Sequence, residues 1–544
     1  MTAHGTLAQT LDPANAGHVD ALSEQTRQLR DNEFAAAREA ARQSPTGLTR
    51  ILVGLDVPEV ETLRIASAIA DSIESAAAAD EVLARTIRDA ADATIAALGP
   101  SKFVMHRVLR TAPAFSISAS VETLDALESL PEVVVALRSM KFRPNLDQTT
   151  VLTGAAASWT NGHDGTGTFV AILDSGILRT HEMFAGKTII EACFAGGDEV
   201  DPFVGDCPNG QEEQFGTGAA APHPSRFSGF DHGTHVAGIA AGAAFDPSDG
   251  PLLHGVARGA DIIMVQVFSR EDDAADCEPN EVDCIFANPD DFAAGLEHVY
   301  SLRLTRNIAA VNMSLGGGSL DDQTACDVVG FFVKPVIDNL RTAGIATVIS
   351  SGNEELCNGI GFPACISSAI AVGATDDFDN EASFSNHHAL LDIYAPGVGV
   401  DSATAVSNTS HDEFDGTSMA APHVTGAFAL IRDAVGVRTV STIFECLRLT
   451  GRPVDGRCVP VPNQRRIQID AAVTAAQMDT WVDFTYVGVE AGGITTQWDS
   501  FGEGTSFVPT DGTLAFKAGQ SSEIGVISRA MTMRSFDGST VIGE

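Results

Sequence analysis

From about Gly165 onward, short apolar runs rich in β-branched residues alternate with helical segments. This alternation constrains the fold more than any other feature of the chain. TFVAILD, DIIMVQVF, NIAAVNMS and GIATVIS are continuously apolar rather than alternating, as strands buried on both faces are. The helical stretches between them predict a parallel sheet with right-handed crossovers. Sites in such sheets form beyond the carboxyl ends of the strands. Three of the four runs end on polar or glycine clusters: Asp174-Ser175-Gly176, Ser314-Leu315-Gly316-Gly317 and Ser350-Ser351-Gly352-Asn353. The chemistry is expected there.

Around this α/β unit the texture changes. RILVGLDV, FVMHRVLRTAPAFSISA and EVVVALRSMKF read as strands, with SAAAADEVLARTIRDAADATIAAL and VETLDALESL as helices between them, which predicts a small α+β domain. RPNLDQTTVLTGA reads as a linker. Beyond residue 476, DGTLAFKAG, SEIGVIS and AMTMRSFDGSTVIG are short β runs with Gly/Asp/Ser turns. They fit either the opening coils of a right-handed parallel β-helix or a sandwich-like appendage. The expected organisation is a helical or disordered extension over 1–48, the small domain over 49–146, the parallel-sheet domain over 147–476 and a β-rich tail over 477–544. Two acidic, Cys-containing stretches, about 191–230 and 270–290, read as surface insertions.

Charge narrows the partners. Acidic residues number 72 against 33 basic ones, a net charge of −39, which repels nucleic acid and anionic membranes and argues against both. No apolar run reaches the 18 residues of a membrane helix. The first twenty residues lack the basic start and apolar stretch of a signal peptide. The nine cysteines all lie between Cys193 and Cys458 without a C-x-x-C pair. The close spacings Cys277/Cys284, Cys357/Cys365 and Cys446/Cys458 read as loop staples of an oxidising compartment, the last pair favoured because the turn-rich RLTGRPVDGR joins its members. Scattered buried thiols are the alternative. An odd count leaves at least one Cys without an internal partner. The expectation is a secreted protein.

Three strings carry chemistry. VAILDSG ends a strand on Asp174, DHGTHVAG opens an Ala/Gly-rich helix with His232 and His235, and GTSMAAPHVTG opens another with Ser418. A hydroxyl is a poor nucleophile unless a base takes its proton and a carboxylate orients that base. Taken singly, each residue has a plainer role: a helix cap, a packed or metal-binding His pair, an N-cap. The G-x-S-x-G elbow of α/β-hydrolases is absent, and the order Asp, His, Ser is one of the known triad orders.

Over roughly residues 145–476 the strings AILDSGI, HGTHVAG, NMSLGGG, SGNE and GTSMAAPHVTG resemble, in order, those of the subtilisin-like serine peptidases, the subtilases. The resemblance implies that Asp174 orients the base, His232 is the general base and acid, and Ser418 is the nucleophile. His235 matches the second, non-catalytic His of its motif. Asn353 matches the side-chain donor of the oxyanion hole, with the Ser418 backbone N–H as second donor. Ser314, Leu315, Gly316 and Gly317 match the edge that holds substrate in extended form. Gly361, in IGFPA, aligns with the wall of the primary specificity pocket, where a glycine leaves room for a large apolar side chain. The small domain resembles the family's inhibitor-type propeptide, an unrelated ferredoxin-like domain being the alternative.

The resemblance therefore implies a serine endopeptidase made as a self-processing zymogen, cutting itself between about Arg143 and Gly154. Its partners are protein or peptide substrates and its own propeptide as intramolecular inhibitor. A narrow processing peptidase and an inactive binding scaffold are the other readings. The chemistry requires no cofactor. Structural calcium is in doubt, because Met183 stands where many subtilases place a calcium-binding Asp, and FDPSDGPLLHG replaces the usual calcium loop. Asp392 aligns near a weaker cation site, and the acidic insertions offer further oxygen ligands.

Overall fold

A computed structural model describes residues 24–542 except 45, 69–72, 100–101, 139–142, 145–151, 197–204, 247–251, 272–276, 278–282, 459–463, 484–493, 496 and 522–529.

The small domain comprises α1 (Glu24–Gln43), β1 (Thr49–Leu55), α2 (Glu59–Ala68), α3 (Ile73–Ala97), β2 (Phe103–Val108), β3 (Ala114–Ala119), α4 (Val121–Glu128) and β4 (Val133–Arg138). Its strands pair antiparallel in the order β2-β3-β1-β4. Successive side chains of a strand point to opposite faces, and that alternation divides the sheet. Ile51, Val53, Phe115 and Ile117 face a core shared with Phe34 and Ala37 of α1, Ala91 of α3 and Leu124 and Leu127 of α4. The helix read as part of an N-terminal extension thus builds this domain's core. Its Arg30 and Arg38 also reach the Glu128 carbonyl and Asp125. On the opposite face Leu52, Ala114, Val135 and Leu137 join a core of the central domain.

The central domain runs through α5 (Ala155–Thr160), β6 (Phe169–Asp174), β7 (Ile189–Phe194), β8 (Glu213–Phe215), α6 (His232–Ala241), β9 (Asp261–Gln266), β10 (Phe268–Glu271), β11 (Cys284–Ala287) and α7 (Pro289–Leu302). It continues through β12 (Ile308–Met313), β13 (Leu315–Leu320), α8 (Gln323–Val329), α9 (Lys334–Thr342), β14 (Ala346–Ser350), β15 (Ile360–Phe362), β16 (Ile370–Thr375), β17 (Ile393–Pro396), β18 (Val400–Ala403), β19 (His411–Phe414), α10 (Thr417–Val435), α11 (Val440–Thr450), β20 (Arg452–Pro453), β21 (Arg465–Arg466) and α12 (Ile469–Ala476). Ten of these strands form one sheet in the order β20-β21-β17-β16-β14-β12-β6-β9-β7-β8. The pairs from β7 to β21 are parallel, and only the edge strands β8 and β20 run antiparallel.

The four apolar runs of the sequence are β14, β12, β6 and β9, four neighbours within this sheet. Val170 and Ile172 of β6 face α6 and α10. Ala171 and Leu173 face α7 and α9. Helices cover both faces, which is why these strands carry no polar alternation.

The small domain docks on α7. Arg50 pairs with Asp290 at 2.7 Å and Arg107 with Asp291 at 3.1 Å, all four side chains being almost fully buried. The Glu297 carboxylate accepts the backbone N–H groups of Arg110 and Thr111 and the Thr111 hydroxyl. After this domain comes β5 (Arg143–Pro144); most of the expected linker around it lies outside the described residues.

Four disulfides are present: Cys193–Cys207, Cys277–Cys284, Cys326–Cys365 and Cys357–Cys458. The Cys277/Cys284 staple is as expected, whereas the Cys357/Cys365 and Cys446/Cys458 pairings are replaced. Cys446 is the free thiol. It sits on the inward face of α11 with Ile443 and Leu447, so the helix directs it into the core, away from the loop that holds Cys458.

In the tail, β22 (Thr480–Val482), β23 (Thr513–Ser521) and β24 (Thr532–Ile542) pair parallel, with α13 (Phe501–Phe507) before β23. Parallel stacking is what successive coils produce; the antiparallel hairpins of a sandwich are not seen among the described residues. The run SEIGVIS lies outside them.

Candidate active site

Asp174 is the last residue of β6, fully buried, and its Oδ1 lies 2.7 Å from His232 Nδ1. The same oxygen accepts the Ser175 N–H at 2.7 Å. A carboxylate can only accept, so Nδ1 carries the proton and Nε2 is left as the basic nitrogen. His232 opens α6, whose ten residues are all buried. Small residues allow that burial: a Cβ on Gly233 would come 2.5 Å from the Gly176 carbonyl, and one on Gly238 would meet Ser402 Oγ.

His235, one turn along α6, has a different setting. Its Nε2 lies 3.1 Å from the Val400 carbonyl and 3.0 Å from that of Asp412, and its ring stacks on Phe414. Burial pushes it down to about 3, so it is neutral and ties the β18–β19 hairpin to the helix.

Ser418 is the second residue of α10, which packs against α6 and β6. Its Oγ lies 3.5 Å from the Ser314 carbonyl, while Ser314 Oγ donates to the Ser418 carbonyl at 2.6 Å. Asn312 Nδ2 donates to Ser314 Oγ and Thr425 Oγ1 to Asn312 Oδ1, which braces the β12 end against α10. Being at a helix start, Ser418 lies where unpaired N–H groups and the positive end of the helix dipole favour negative charge.

Asn353 follows β14 on a turn. Its Oδ1 accepts from the Thr417 N–H at 3.0 Å and from Thr417 Oγ1 at 2.9 Å, which leaves Nδ2 as the available donor. Thr417 Oγ1 also accepts the Gly352 N–H at 3.1 Å. Thr417 was not singled out from sequence, although it lies inside the GTSMAAPHVTG string; only the fold brings it against residue 353.

Beside these groups runs β13, with Leu315 buried and Gly316 and Gly317 half-buried. β13 pairs antiparallel with β15, placing Gly317 opposite Phe362. Gly361 donates its N–H to the Ser351 carbonyl, and a Cβ there would stand 3.3 Å from that oxygen. The other edge of β13 is taken by β5, with Leu315 opposite Pro144 and Gly316 opposite Arg143. β5 also lies beside β11. The structure therefore gathers Asp174, His232, Ser314–Gly317, Asn353, Gly361 and Ser418 at one carboxyl edge of the sheet.

The sequence left calcium in doubt, and its candidate positions have the following surroundings. Met183 is buried, with its thioether against Gly238 and Gly242, and offers no hard oxygen. Asp392 Oδ2 accepts the Ala371 N–H, and burial pushes its carboxyl up to about 6. Among the described residues Glu381, His387 and Cys458 have ligand atoms within 4.8 Å of one another, but Cys458 is held in a disulfide. With its sulfur taken up in that disulfide, the trio does not fit a resident metal.

A doubly covered parallel sheet with an Asp–His pair and a helix-borne Ser at its carboxyl edge defines a class of α/β serine hydrolase scaffolds. The chain belongs to the subtilase family, whose profile matches residues 165–456. It is 32% identical over 291 residues to an extracellular serine proteinase of Thermus sp. (strain Rt41A), covering 53% of this chain and 56% of the relative. It is 30% identical over 262 residues to alkaline protease 1 of Aspergillus flavus, covering 48% and 51%. With the alkaline elastase YaB of Bacillus sp. (strain YaB) it shares 30% identity over 328 residues, 59% of this chain and 69% of the relative. The chain spans about half the length of the first two relatives.

Proposed function

We propose that this protein is a serine endopeptidase acting on extended protein or peptide segments, made as a zymogen that processes itself. The carrying observation is the buried Asp174–His232 pair, 2.7 Å apart, at the same sheet edge as Ser418. In this reading His232 Nε2 takes the proton of Ser418 Oγ as the hydroxyl attacks the scissile carbonyl. Asp174 holds the imidazole in the productive tautomer and stabilises the imidazolium. The oxyanion that forms is met by Asn353 Nδ2 and the Ser418 N–H, both preorganised by the fold. His232 then protonates the leaving amine, and water, activated by the same imidazole, releases the acyl group and restores Ser418.

Ser314–Gly317 would bind the substrate backbone as an added strand, with Gly361 leaving the side-chain pocket open. The small domain would be the propeptide. Its support is the strand β5, which occupies the β13 edge where substrate would run, and the buried ion pairs to α7. Secretion is supported by four disulfides and by the extracellular description of the Thermus relative. No helix among the described residues is long and apolar enough to cross a membrane. The chemistry itself needs no cofactor.

The test is fluorophosphonate labelling followed by N-terminal sequencing. The chain should label on Ser418 and yield a species beginning between Arg143 and Gly154, while Ser418→Ala should neither label nor be cut. Labelling that survives Ser418→Ala would overturn the assignment of the nucleophile. Cutting of purified Ser418→Ala would overturn self-processing.

A further inference from the structure

We propose that Asn386, distant in sequence from every motif of the site, is the residue that positions the oxyanion donor Asn353. The inference rests on the serine peptidase reading above and extends it to a side chain that touches neither substrate nor nucleophile.

Asn386 is fully buried, and every polar valence of its amide is spent on the turn that carries Asn353. Its Oδ1 accepts the backbone N–H groups of Glu354 at 3.2 Å and Leu356 at 3.0 Å. Its Nδ2 donates to the Ser351 carbonyl at 3.1 Å and to Glu354 Oε2 at 2.5 Å. Its own N–H donates to the Gly352 carbonyl at 3.0 Å, and its carbonyl accepts Ser351 Oγ. The residues on either side of position 353 are thus gripped by one amide. Asn353 itself is left to Thr417 and the cleft.

The backbone is shaped to this grip. Gly352 has φ +102°, and a Cβ there would lie 2.4 Å from Asn386 Nδ2 and 2.6 Å from Glu354 Oε2. Only glycine admits both the conformation and the approach. Neighbouring bonds extend the template, Glu355 N–H to the Phe384 carbonyl and His387 N–H to the Leu356 carbonyl. The Ser351 carbonyl that Asn386 holds is also the acceptor for the Gly361 N–H. An oxyanion donor acts only where its N–H meets the developing charge, so a tilt of this turn costs rate even though Asn353 remains present.

The full-length chain is the material, with each variant's active sites counted by fluorophosphonate titration and kcat read per labelled site on a peptide anilide. Asn386→Ala should lower kcat about 10²-fold with KM little changed, the scale of a misplacement of roughly an ångström. In an Asn353→Ala background the same substitution should lower kcat no further, because its route to the reaction has gone. A purely architectural residue would reduce melting temperature and labelled fraction equally in both backgrounds and leave kcat per site alone. That result, or equal kcat losses in both backgrounds, overturns the proposal.

Asn386→Asp serves should the alanine variant not fold. It keeps the oxygen that accepts from Glu354 and Leu356 but replaces the donor facing Ser351 with an acceptor beside the Glu354 carboxylate. Its kcat relative to the unsubstituted chain should rise as pH falls and the new carboxyl gains a proton to donate. A flat ratio overturns the proposal. Failure of the unsubstituted chain to label would instead remove the peptidase reading on which it stands.

Discussion

Arg50→Met tests how the small domain is held. The Arg50 guanidinium lies 2.7 Å from Asp290, with 4% and 3% of the two side chains exposed. Burial alone would raise the Asp290 carboxyl; the charges of Arg50 and Arg107 outweigh it and hold it below the usual carboxylate range. In the variant, Asp290 would still be sealed under the sheet, with the charge of Arg107, the Ser116 hydroxyl and the first turn of α7 as its remaining support. Breaking a buried pair by removing one partner costs about 3–5 kcal/mol. The helix start and Ser116 favour the lower end of that range. The affinity of the cleaved small domain for the central domain should then fall on the order of 10²-fold. The assay follows activity released on dilution of self-cleaved protein, which gives the dissociation constant. Adding Asp290→Asn removes the stranded charge and should recover most of the loss. An unchanged constant in Arg50→Met, or a double variant weaker than the single one, would refute the reasoning.

Burial, and next the charge of Arg50, push His106 down to about 4 from an ordinary 6.5. Between those values the unfolded chain binds more protons, so this group's contribution is intact above pH 6.5 and is lost as pH falls towards 4. Denaturant titrations of uncut Ser418→Ala should lose up to about 3 kcal/mol over that window, and His106→Gln should flatten the fall; equal slopes would contradict the assignment. Burial pushes the Cys446 thiol up to about 12, so a disulfide reagent should find no thiol in the native protein and a single one after unfolding without reductant; a higher count would break the pairings described. Gly233→Ala places a methyl 2.5 Å from the Gly176 carbonyl and should displace the start of α6, lowering kcat by about 10²-fold with a stability loss of about 1–3 kcal/mol. Normal turnover in that variant would show that His232 does not depend on this close seating.

What the sequence determined by itself was what local pattern can encode. Strands β6, β9, β12 and β14 were legible because burial on both faces removes polar alternation, and the resulting runs of Val, Ile and Ala do not depend on which strand lies beside which. The triad strings were legible for a related reason: Gly233, Gly238 and the Ala-Ala of α10 answer to close packing around His232 and Ser418, and so leave dense local signatures. Tertiary structure decided whatever joins residues far apart in the chain. Cys357 meets Cys458 across a separation of 101 residues, while Cys446, twelve positions before Cys458, is turned away by the face of α11 on which it sits. Arg50 and Arg107 read as ordinary strand positions until strand alternation and docking set them on Asp290 and Asp291. Asn386 gave no sign at all, because a turn template depends on where one amide stands relative to another backbone, and no periodicity or spacing in the chain carries that distance.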